Sequence, residues 1–68
     1  MELLIIKSGK EYIRVGDASY SVCGLDKASV FPMDQADTVK KHLAIVRETA
    51  FPAAAPFKLI LHEEPIAI

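Results

Sequence analysis

Between Asp34 and Phe51, apolar residues fall at Ala36, Val39, Leu43, Val46 and Ala50. Steps of three and four put side chains on one stripe of an α-helix, so the spacing predicts a helix over 34–51. Every other apolar run is too short for a good helix. The segments around it keep a period of two, the mark of strands.

Leu3 to Lys7 is apolar on both sides, with Leu3 and Ile5 on one and Leu4 and Ile6 on the other. Two-sided apolar character predicts an interior strand, or one whose second face meets a partner. Ser8-Gly9-Lys10 reads as a tight turn, because glycine accepts positive φ. Lys10 to Val15 alternates next, with Ile13 and Val15 expected to point into the core. Gly16-Asp17 marks a second turn, and Ser19 to Cys23 a third strand with Tyr20 and Val22 on one side. Gly24-Leu25-Asp26 interrupts the pattern, and Lys27 to Phe31 reads as a short fourth strand.

Pro32 and Asp34 signal the start of the helix: the residue before a proline avoids the α region, and an aspartate oxygen caps free N–H groups of a first turn. Asp37 adds an acidic group where the helix dipole favours one, and pairs with Lys41 four residues on. Pro52 ends the helix. Pro52-Ala-Ala-Ala-Pro56 reads as a linker, Phe57 to Leu61 as the last strand, and 62–68 as a tail that begins charged and ends apolar. The order is β-β-β-(β)-α-β: one α+β domain over residues 1–68, a small, mainly antiparallel sheet of four to five strands with one helix packed on one face.

One helix is about 10 Å across and strands lie about 4.8 Å apart, so it shields two or three strands on one face. The other face is left bare. On the pleat we assign Leu4, Ile6, Tyr12 and Ile60 to that bare face and expect it to be covered by self-association, through sheet faces or edge strands. The tail offers another cover if Ile66-Ala67-Ile68 folds back. On the helix, Ile45 lies opposite the core stripe, and a single exposed isoleucine carries no message.

Composition sharpens this expectation. The chain has 68 residues and is 51% hydrophobic, while a domain of about 60 residues buries only about 60% of the surface its unfolded chain exposes. So many apolar side chains exceed what so small a core covers. Eight basic and nine acidic residues give a formal charge of −1, which supplies no global field for nucleic acid or anionic lipid. Cys23 is the only cysteine, so an intrachain disulfide is excluded and a reducing cytoplasm is expected. The opening MELLIIKSG has an apolar run of four behind an acidic residue, which is neither a secretory signal nor a membrane span.

Candidate chemistry is sparse. Cys23 lacks a base that the sequence would bring to it, and a free cysteine ordinarily packs as a small hydrophobe. His62 and Glu64 share one side of a strand end, but two ligands do not make a metal site. Lys40, Lys41 and Arg47 give the helix a basic flank that suggests phosphate contact, with Asp37 and Glu48 interleaved among them as in any salt-bridged surface. There is no glycine-rich phosphate loop, HExxH or CxxC, and no cofactor is expected. A small sheet, one helix and no catalytic set is the make-up of many small bacterial and prophage accessory proteins. The sequence reading is therefore a small non-catalytic interaction or accessory module that works through its surfaces, expected to be a homodimer with a further protein partner. Weak nucleic-acid binding through the helix flank is the second reading.

Overall fold

The computed structural model describes every residue except Ala18. Five strands, β1 (Glu2–Ser8), β2 (Glu11–Val15), β3 (Tyr20–Cys23), β4 (Val30–Pro32) and β5 (Ala54–Ile60), form one antiparallel sheet, and one helix, α1 (Ala36–Thr49), packs on it. The α+β class and the element order agree with the sequence reading.

β1 is the centre. Along one edge it pairs with the whole of β5, from Glu2↔Ile60 to Ser8↔Ala54. Its other edge is shared: β2 holds Lys7 and Ser8, and β4 holds Leu3 to Ile5. A two-residue turn, Gly9-Lys10, joins β1 to β2, and Gly9 supplies the φ of +64° that it needs. Beyond Tyr12, β2 leaves β1 and pairs with β3. Ser29 joins the two halves: its N–H donates to the Ile13 carbonyl at 3.2 Å, and its hydroxyl accepts from the Val15 N–H at 2.8 Å.

Ile6, Ile13, Val39, Leu43, Val46 and Ala54 form the core between sheet and helix, with Leu4, Tyr20, Phe31 and Phe51 packed against it. Three of the five residues expected on the helix stripe, Val39, Leu43 and Val46, are buried, while Ala36 and Ala50 at its ends stay exposed. The sheet holds the helix from both flanks. On the β3 side the Tyr20 hydroxyl lies 2.9 Å from His42 Nδ1, and the His42 ring also meets Phe31 at a centroid distance of 5.7 Å. On the β5 side Arg47 Nε donates to the Ala54 carbonyl at 2.7 Å.

Three local expectations need correction. Asp34 does not cap the helix. Pro32 is still paired in β4, so the chain turns through a 3-10 segment, Met33–Gln35, and α1 begins at Ala36 with no side-chain cap. Lys27, expected to open the fourth strand, instead ends a 3-10 turn over Leu25–Lys27 at the expected break, and β4 shortens to Val30–Pro32. The supposed linker is strand from Ala54 onward. Proline is tolerated there because β5 is an edge strand, whose missing N–H need not break a central ladder.

Candidate interaction surface

Residues directly opposite each other in a sheet point to the same side, so the register sorts every strand side chain by face. The helix side takes Leu4, Ile6, Ile13, Val22, Tyr20, Phe31, Pro56 and Lys58. The opposite side takes Leu3 beside Leu59, Ile5 between Val30 and Phe57, and Lys7 between Tyr12 and Ala55. This second face is an aliphatic and aromatic stripe along β1 and β5.

Its elements explain its shape. Ile5, at the centre, is 1% exposed, whereas its neighbours Val30 and Phe57 stand 46% and 49% exposed. The Lys7 ammonium lies 4.9 Å from the centroid of Tyr12 and 5.1 Å from that of Phe57. Its aliphatic stem thus covers apolar surface while its charge rests against two ring faces. Lys7 and Arg14 are the only charged strand residues on this side; the strand carboxylates Glu2 and Glu11 belong to the helix side.

The four residues assigned to the bare face divide. Ile6 is a core residue and Leu4 packs on the core beneath the helix, so both leave the bare face. Ile60 shares their side but stands 66% exposed at the far end of β5. Tyr12 alone lies on the bare face, beside Lys7. The physical reason is the turn. A two-residue connection pairs Ser8 with Glu11 and Lys7 with Tyr12, which puts Ile6 on the side of Ile13. With Ile13 in the core, Leu3 and Ile5 take the other face. Sequence reasoning therefore missed Leu3, Ile5, Lys7, Val30, Phe57 and Leu59, although the turn length carries the signal that finds them.

The remaining candidates stay apart. Cys23 is a free, half-buried thiol on the Tyr12 side, donating to the Tyr12 carbonyl at 3.6 Å. His42 is engaged by Tyr20, not by the thiol. His62 Nε2 and Glu64 Oε1 do come together at 3.2 Å, both largely exposed, and no group of three metal-binding side chains occurs among the described residues. On the helix flank, Arg47 binds the Ala54 carbonyl, Lys40 borders a small apolar groove with Leu4, Val39, Leu43 and Pro56, and Lys41 is exposed.

The tail does not fold back onto the sheet. The β1–β5 pairing continues one step, with the Leu61 N–H donating to the Met1 carbonyl at 2.7 Å. Residues 62–68 then run exposed, Ile66 at 77%. The molecule measures 46 × 23 × 21 Å along its principal axes.

No family model, curated protein or solved structure matches the chain. Among the described residues, no helix is long and apolar enough to cross a membrane.

Proposed function

We propose that this chain is a non-catalytic interaction module that associates with a second copy of itself through the face of β1 and β5 opposite the helix. The observation that carries the reading is the pair Val30 and Phe57, half exposed on either side of the buried Ile5. Large apolar side chains grouped on one sheet face favour a covered surface over a solvated one.

A facial contact is favoured over edge pairing. The free edge of β5 carries Pro56, which has no N–H to offer a new strand, and Lys58 two residues on, both features that block edge-to-edge addition. The other end of the sheet, β3, has only four residues. A reducing cytoplasm suits the module, because Cys23 is a lone thiol with no disulfide partner.

Phe57→Lys tests this reading by placing an ammonium in the apolar stripe without touching the core. The variant is expected to keep its circular dichroism spectrum and to be monomeric where the parent chain is dimeric. A Phe57→Lys protein that dimerises as tightly as the parent overturns the facial contact.

A further inference from the structure

Charge is distributed unevenly along β1. At its C-terminal end stand Lys7, on the bare face, and Lys10, exposed in the turn to β2. At its N-terminal end, where Leu61 continues the pairing with Met1, the chain leaves the sheet through Glu63 and Glu64. Glu2 at this end is already paired, 3.5 Å from the Lys58 ammonium. On the bare face and in the tail the charges are therefore basic at one end of the stripe, where Lys7 lies over the Tyr12 and Phe57 rings and the exposed Glu11 beside Lys10 belongs to the helix side, and acidic at the other, where Glu64 lies 3.2 Å from His62.

Resting on the dimer proposed above, we infer that the 62–68 segment of each copy belongs to the interface, with Glu63 and Glu64 against Lys7 and Lys10 of the other copy. Two copies stacked face to face run their β1 strands either antiparallel or parallel. With a two-fold axis near Ile5 and antiparallel strands, Leu3 of one copy stands over Lys7 of the other, and Leu61, beside Met1 in line with β5, comes to the level of Gly9, over the start of the partner copy's β5. Glu63 and Glu64 then emerge at the partner copy's Lys7-to-Lys10 end. Parallel stacking brings like charges together at both ends. Electrostatics thus selects the antiparallel, isologous arrangement.

Area points the same way. Strands of seven residues rise about 23 Å, and three strands span about 14 Å, so the bare face projects roughly 330 Å². A standard interface buries about 800 Å² per partner. The stripe alone falls short, and a seven-residue segment laid along the other copy enlarges the contact. Ile66 and Ile68 are both exposed, and laid out extended along the other copy the segment would present them to one side.

A pair of charge-reversed full-length chains tests the inference. One carries Glu63→Lys and Glu64→Lys, the other Lys7→Glu and Lys10→Glu. Each alone sets like charges together at both ends of its own dimer, and its dimer dissociation constant is expected to rise at least about tenfold at low salt. Mixed in equal amounts, they are expected to form a heterodimer about as tight as the parent homodimer, because both ends are again complementary. Circular dichroism of each chain checks that it is folded. A tail variant that dimerises like the parent overturns the inference and leaves the facial dimer standing. Two weakened variants that stay weak on mixing also overturn it, since a tail acting within its own chain gains nothing from a second. A monomeric parent removes the dimer and this inference with it.

Discussion

The Tyr20 hydroxyl and His42 Nδ1, 22 residues apart in sequence, lie 2.9 Å apart and tie the outermost strand to the middle of the helix. Tyr20 reaches His42 because it stands opposite Val15, two residues from the core residue Ile13 and so on the helix side of the sheet. Tyr20→Phe keeps the ring and removes the hydrogen bond. It should cost about 0.5–1.5 kcal/mol in denaturant unfolding, a fall in Tm of about 4–8 °C per kcal/mol in a domain of this size. His42→Ala should cost more, since it also removes the ring packed on Phe31. The double variant should cost less than the sum of the two, because both act on one contact.

Ser29 occupies the point where β1 changes partners. Its hydroxyl satisfies the Val15 N–H, which has left the β1 ladder. Ser29→Ala should cost about 1 kcal/mol by stranding that donor, and Ser29→Thr, which keeps the hydroxyl, should cost less. Amide exchange at Val15 reads the local effect: faster in the alanine variant, near the parent rate in the threonine variant.

The two sides of α1 should respond differently to truncation. Leu43 is buried in the core, and Leu43→Ala should cost about 2–5 kcal/mol through lost contact and the cavity left behind. A domain of this length commonly holds only about 3–10 kcal/mol in total, so that variant should be partly unfolded at room temperature. Ile45, on the opposite side, is 48% exposed. Ile45→Ala should stay within about 0.5 kcal/mol of the parent. Urea midpoints of the two variants check the contrast.

The helix was legible because its stripe is long and regular: Val39, Leu43 and Val46 are where a period of 3.6 puts them. The first three strands were legible from their apolar character and their boundaries moved by one residue, whereas the starts of β4 and β5 each moved by three. Two features were harder to read. Ala54-Ala55-Pro56 carries no apolar alternation and contains a proline, so nothing local marks it as strand; it pairs because Ile6, Lys7 and Ser8 present a free edge. The bare face was misassigned because β1 is aliphatic at four consecutive positions, and alternation alone leaves open which pair meets the helix. The turn at Gly9-Lys10 settles that, since it locks Ile6 to the side of Ile13. The charge polarity of the stripe depends on knowing which end of β1 the tail leaves from, and the β1–β5 pairing alone supplies that.

The molar mass of the unmodified chain in solution, followed by sedimentation equilibrium from about 1 µM to about 1 mM, tests the central claim most directly. The facial dimer predicts a mass that rises with concentration to twice the 7.5 kDa of one chain and stops there, as a closed two-fold contact requires. A mass that stays at 7.5 kDa across the whole range contradicts it.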